Sequence, residues 1–202
     1  MPKFILAHKQ AMSRLFREDG TVVPVTKLTA GPCFVTQVRT QDKDGYRAVQ
    51  LGFHEVRKVT KPKLGHLKPA GKQVRHLKEF RLKEGEYSVG QVIDVTQFVP
   101  GDLVKVTGWS KGRGFQGVVK RHHFHGHPST HGHKDQARMP GSIGAGGVQH
   151  VRKGMRMAGH MGAARSSVNK LEVMAVNAEA NELVLKGAVP GARGGLLLVV
   201  AA

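Results

Sequence analysis

The sequence predicts a mainly β protein: a small barrel or sandwich interrupted by one long irregular segment. Three observations predict it. Short β-branched or alternating apolar runs recur between Gly, Pro, Asn and Asp clusters. No long amphipathic helix pattern and no internal repeat occurs, which sets βαβ architectures aside. Residues 110–165 carry almost no apolar period but hold 12 of the 26 glycines and 8 of the 12 histidines.

The elements follow in order. Phe4-Ile5-Leu6-Ala7 is an apolar block too short for a signal-peptide core. Val22–Leu28, Cys33–Thr40 and Tyr46–Phe53 read as strands, punctuated by Gly20, Ala30-Gly31-Pro32 and Asp42-Lys43-Asp44-Gly45. Pro62–Ala70 is expected to hold a short helix. Val92–Val95 and Leu103–Trp109 are strands joined through Val99-Pro100-Gly101-Asp102. Val168–Val176 and Leu183–Lys186 flank the turn Asn177–Asn181, and Leu196–Val200 closes the series. Val118–His123 does not read as a helix. Residues 1–109 and 166–202 are therefore assigned to the β domain, with a basic insertion at 57–83. Residues 110–165 form an extended arm inserted between its strands.

Composition bounds the function. A chain of 202 residues with 40% hydrophobic content can build a core, so full disorder is excluded. The longest apolar run, Leu196–Ala202, is far short of a membrane span. One cysteine, Cys33, allows neither an internal disulfide nor a thiolate zinc cluster, which fits a reducing, cytoplasmic setting. The net charge of +18 is concentrated. Residues 57–83 hold ten Lys and Arg (Arg57, Lys58, Lys61, Lys63, Lys68, Lys72, Arg75, Lys78, Arg81, Lys83) against Glu79. Residues 110–165 hold ten more (Lys111, Arg113, Lys120, Arg121, Lys134, Arg138, Arg152, Lys153, Arg156, Arg165) against Asp135. The two windows carry the whole excess, and like charges at that density call for a polyanion. Nucleic acid is the leading partner class, with a membrane surface far behind.

Motifs sharpen this. Gly112-Arg113-Gly114-Phe115-Gln116-Gly117 fits a dinucleotide fingerprint, but no helix is predicted after it and Asp135 sits among Gly and His. A phosphate-gripping loop flanked by Lys111, Arg113, Lys120 and Arg121 suits it better. His122, His123, His125, His127, His131 and His133 could ligate a transition metal, yet no cysteine and only Asp135 accompany them. Contact with RNA bases, phosphates and 2′-hydroxyls explains histidines beside Lys and Arg equally well. A histidine-rich metal-binding protein is the second reading. Cys33 is a core side chain, and neither Ser142 nor Ser166-Ser167 has a base and an orienting group, so no enzyme is predicted. Aromatic residues are few, which favours recognition of folded RNA by backbone and shape. Trp109, Phe115 and Phe124 are the candidates for isolated stacking or for anchoring the base of the arm.

Several blocks, in order, resemble the bacterial members of the universal L-three family of large-subunit ribosomal proteins. They are Gly45–Gln50, Val59–Pro62, Gly65-His66, Val106–Gly108, Ser110–Gly117, Val119–Arg121, Pro140–Gly144, Lys153-Gly154, Met157–Gly162 and Lys186–Gly191. The resemblance implies a six-stranded β-barrel of the translation-protein type with long basic extensions. It implies a structural protein of the cytoplasmic large subunit, without cofactor, metal, membrane or small-molecule substrate. It would bind the large ribosomal RNA near its 3′ domain early in assembly and meet neighbouring ribosomal proteins. The residues expected at RNA are Lys61, Lys63, Lys68, Lys72, Lys111, Arg113, Lys120, Arg121, His122, His123, His125, Lys134, Arg138, Arg152, Lys153, Arg156 and Arg165. The arm would reach toward the peptidyl transferase centre with Gly141, Ser142, Ile143, Gly144, Ala145, Gly146 and Gly147 innermost. Two departures stand out. His8–Ser13 replaces a glycine-containing opening motif. The glutamine that some bacterial members methylate falls on Gly147, and Gln149 takes its place only if a one-residue gap is moved.

Overall fold

The computed structural model describes residues 3–82 and 85–201, so Lys83 of the first basic window and Ala202 of the last apolar run lie outside it. In chain order the strands are β1 (Phe4–Phe16), β2 (Val22–Ala30), β3 (Cys33–Arg39), β4 (Ala48–Glu55), β5 (Val74–Arg81), β6 (Val92–Ile93) and β7 (Leu103–Trp109). After them come β8 (Phe115–Gln116), β9 (Gly159–His160), β10 (Arg165–Asn177), β11 (Glu182–Lys186) and β12 (Leu196–Ala201). Three short helices accompany them: α1 (Gln41–Asp44), α2 (Lys61–Leu67) and α3 (Val118–His122). The protein is mainly β, as expected. By contact density it divides into two units, Met1–Trp109 with Arg165–Ala202, and Ser110–Ala164.

In the first unit, six strands pair antiparallel in the ring β1-β12-β7-β10-β11-β2 and close into a barrel. Closure removes the free edges that an open six-stranded sheet would expose. Leu28, Leu183, Leu185, Leu197 and Val199 are buried in its core, each such side chain contributing about 1.5–3 kcal/mol. The buried Thr26 hydroxyl donates to the Gly187 carbonyl at 2.6 Å, so this polar group costs the core little. The other strands do not join the ring. β3, β4 and β6, expected simply as further strands of one core, form with β5 a second sheet in the order β5-β4-β3-β6. One continuous cluster links the two sheets: Phe4 of β1 stacks on Phe80 of β5 with ring centroids 4.9 Å apart.

Three elements differ from the sequence expectation. β1 runs 13 residues where only a four-residue apolar block was visible. Its first four residues are all buried, so both faces are covered and the period-2 signal vanishes, while residues 11–14 are exposed. The basic window is not simply an insertion, because β5 lies within it and pairs with β4 from Ala48↔Arg81 to Glu55↔Val74. Its Lys and Arg side chains hide a strand at a sheet edge, where charge is ordinary. Third, Val118–His122 is helical after all, one turn begun at Gly117 and ended by His123 in the left-handed conformation at φ 60°. The helix predicted at Pro62–Ala70 is present as α2 followed by a 3₁₀ turn over Lys68–Ala70. Leu67 at its end packs on Phe34 and Val74.

The second unit has its own pairing. Ser110 N–H donates to Ala164 O at 2.9 Å, Arg113 N–H to Met161 O at 2.9 Å, and Met161 N–H to Gly114 O at 2.9 Å. β8 and β9 continue that ladder through Phe115↔His160 and Gln116↔Gly159. Gly162 is required there: its φ is +79°, and a Cβ would strike the Lys111 carbonyl oxygen. Apart from α3, the chain beyond the ladder is irregular and mostly exposed, with isolated bonds such as His127 N–H to Ala137 O at 3.1 Å.

Burial shifts titratable side chains of the first unit at Cys33 and at a histidine cluster, among other places. Burial pushes the Cys33 thiol up to about 12, and its S–H donates to the Leu6 carbonyl at 3.6 Å. His8, His54 and His76 meet at ring-centroid separations of 5.3, 5.4 and 6.4 Å. Burial, then the neighbouring His8, lowers His76 to about 4, and burial, then His54, also lowers His8.

Three outcomes follow. Cys33 should resist iodoacetamide at pH 8 in the folded protein and react fully in denaturant, as mass spectrometry would read. A histidine with a depressed folded-state pKa favours the native state above its unfolded value of about 6.5 and loses that contribution as pH falls toward about 4. The urea midpoint should therefore drop between pH 7 and pH 4, and His76→Gln should flatten that drop. Gly162→Ala should speed amide exchange at Arg113 and Met161 while leaving Leu183 and Leu185 protected, since only the ladder of the second unit is disturbed.

Candidate nucleic-acid interface

The second unit concentrates cations that no acid among the described residues pairs with. Lys111, Arg113, Lys120, Lys134, Arg138, Arg152, Lys153 and Arg156 are all exposed. Among the described residues no ion pair involves any of them, and the acidic Asp135 is itself exposed. Glycines at positive φ occur throughout this stretch, at Gly126, Gly132, Gly141, Gly147 and Gly154 among others. They keep much of the backbone free of Cβ atoms, so amides and cations together can approach phosphate oxygens closely.

Two of the predicted contact residues of this unit have structural partners instead. Arg121 donates from Nη1 to the Met157 carbonyl at 2.7 Å, and His122 Nε2 lies 3.1 Å from the same oxygen. Both are half-buried and tie α3 to the returning limb of the unit. His123 and His125 are exposed; His127 stacks on His133 at 5.5 Å between ring centroids. Gly141–Gly147 are exposed throughout, with a local turn in which Ser142 Oγ donates to Gly144 O at 2.9 Å. Among the described residues no group of three or more His, Cys, Asp or Glu is placed to hold a metal ion.

The cations of 57–83 behave differently, because they decorate folded elements. Lys61 and Lys68 are exposed at the two ends of α2. Lys63 is half-buried and donates to the Arg75 carbonyl. Lys72 pairs with Glu55 at 3.0 Å and lies 5.1 Å over the Phe34 ring, so its charge is largely used within the fold. Arg81 lies 5.4 Å over the Tyr46 ring. Lys78 on β5 and Arg165 at the start of β10 are exposed and unpaired among the described residues. They line a cavity with Trp109, the last residue of β7. Charge counting includes Lys78 without distinguishing it from its neighbours, and only the pairing of β5 locates it. No helix among the described residues is long and apolar enough to cross a membrane.

Comparison with known proteins completes the picture. The sequence profile of the family described as Ribosomal protein L3 matches residues 54–189. The chain is 52% identical over 199 residues to the large ribosomal subunit protein uL3 of Herpetosiphon aurantiacus, covering 96% of this chain and 94% of the relative. It is 52% identical over 202 residues to uL3 of Acidothermus cellulolyticus, covering 98% and 91%. It is 45% identical over 201 residues to the protein uL3c of Phaeodactylum tricornutum, covering 97% of each. A profile spanning well over half the chain and relatives at half identity along nearly all of it leave one assignment: the chain belongs to the ribosomal protein L3 family.

Proposed function

We propose that the chain is a structural, non-catalytic constituent of the large ribosomal subunit in the cytoplasm, and that it holds ribosomal RNA through its unneutralised basic surface. Family membership supports the ribosomal role. The observation that carries the RNA contact is the second unit: eight exposed cations without a counter-ion among the described residues, on glycine-rich backbone. Such a segment lowers its self-repulsion only beside a polyanion. In this reading the barrel is of the translation-protein type and residues 110–165 form the RNA-penetrating arm. The predicted cations from Lys61 to Arg165 other than Lys72 and Arg121 contact phosphate, and Gly141–Gly147 lie nearest the peptidyl transferase centre. Binding falls near the 3′ domain of the large RNA, early in assembly, with neighbouring ribosomal proteins beside it. Arg121 and His122 act indirectly, by holding the limbs of the arm in register.

The test is the salt dependence of the full chain binding a transcript of large-subunit ribosomal RNA. If 6–10 cations meet phosphates, affinity should fall about 10³- to 10⁵-fold between 50 and 200 mM salt, taking the duplex-DNA value. Filter binding across a salt series reads the slope. Lys153→Ala and Arg156→Ala should each weaken binding and reduce the slope by about one. A nearly flat response would overturn the phosphate-contact reading.

A further inference from the structure

The cavity beside Trp109 has a chemistry that phosphate contacts alone do not use. It measures about 270 Å³ and is lined by Lys78, Thr107, Trp109, Arg165 and Leu198, among others. That is below the roughly 300–1,000 Å³ of sites for drug-sized ligands, and suits a single flat ring. Trp109 is the only tryptophan of the chain and is 57% exposed, although it ends a strand whose preceding residues Val106, Thr107 and Gly108 are buried. Among the described residues no ring or cation is stacked on its indole. Leaving so large an apolar face in water forfeits burial that the barrel could have used.

Its surroundings are set by the ladders. Trp109 and Arg165 are register partners in the β7–β10 pairing, and Lys78 comes from β5. Leu198 is half-buried and adds an apolar wall, while the Thr107 hydroxyl is already bonded to that of Ser167 at 2.7 Å. Glu79 also lines the cavity, but its carboxylate accepts from Tyr46 Oη at 3.1 Å and Gln50 Nε2 at 3.3 Å, which directs its charge elsewhere. The site therefore offers one open aromatic face flanked by two cations that have no counter-ion among the described residues. The cavity beside Tyr87 lacks this combination, because Tyr87 packs on Phe4 and Arg39 is paired with Asp44.

We infer that the cavity beside Trp109 receives one unstacked base of an RNA strand, stacked on the indole, with the adjoining phosphates met by Lys78 and Arg165. An aromatic face next to cations is the arrangement by which proteins hold a splayed-out base. This rests on the RNA reading above but adds a base contact on the barrel unit.

The experiment uses the full chain, whose single tryptophan reports this one site. Emission should be quenched as large-subunit ribosomal RNA transcript is added at low salt. Trp109→Ala should raise Kd at least about 5-fold, the lower end of the loss per stacked base. Trp109→Phe should recover most of that loss. Salt-dependent binding with unquenched emission and an unchanged Kd for Trp109→Ala would overturn the base site and leave the RNA reading intact. Quenching only when other large-subunit proteins are added would overturn it in favour of a protein contact. Absence of any RNA binding would overturn both. The wild-type fluorescence needs no variant to fold.

Discussion

The pairing of β7 with β10 is the constraint on which the molecule depends. It closes one side of the barrel ring, and its last rung, Trp109↔Arg165, sets where the chain leaves the barrel unit and where it returns. Between those two residues lie 55 others that contribute no strand to the barrel. Closing a flexible loop of that length costs roughly 3–4 kcal/mol in chain entropy beyond a constant. Rungs continuing past the barrel, from Ser110–Ala164 to Gln116–Gly159, shorten the free excursion. An insertion rooted on adjacent strands can then be long and irregular without opening the core.

How much of this was legible in the sequence follows from burial and charge. Strands with one wet face, such as β2, showed themselves through alternation between turn residues. The short helix expected at Pro62–Ala70 is α2 with the turn after it. β1 did not, because covering both faces of Phe4–Ala7 erases the alternation and exposing residues 11–14 removes the apolar signal altogether. β5 was masked by its cations, which are compatible with a sheet edge but also with solvated loop. α3 is one turn long, and five residues cannot show a 3.6-residue period. That β3, β4, β5 and β6 form a separate sheet depends on pairings between distant residues, which periodicity does not encode.

The candidate interface was legible in outline for a different reason: net charge by segment survives folding. Which cations are free does not. The acids are concentrated in the barrel unit, and there Asp102 pairs with Lys3, Glu182 with Lys27, Glu172 with Arg17 and Lys186, and Asp44 with Arg39. Among the described residues Lys72 alone of the expected RNA-contact residues joins such a pair, with Glu55. Exposed pairs of this kind are screened by solvent and add little stability, so their main consequence is the distribution of charge. The barrel unit sets 13 acids against 23 Lys and Arg, so part of its charge is offset within the fold, whereas the glycine-rich unit sets only Asp135 against nine.

That division has an energetic consequence. Ordering backbone costs roughly 1–2 kcal/mol per residue, and exposed glycines recover little of it through side-chain burial. In the barrel unit, hydrophobic clusters around Leu28, Leu183 and Leu197 offset the cost. In Ser110–Ala164 the buried hydrophobic side chain among the described residues is Val118, and Met139, Ile143, Val148, Val151, Met155 and Met157 are exposed. The hydrogen-bonded ladder holds the ends of this segment, but its interior lacks the apolar contacts that would fix one conformation. Under the proposed function, the phosphates that neutralise its cations also supply the surface on which these exposed side chains and bare backbone come to rest. Charge and order in this segment then have the same source, which accounts for a sequence at once basic, rich in glycine and poor in apolar period.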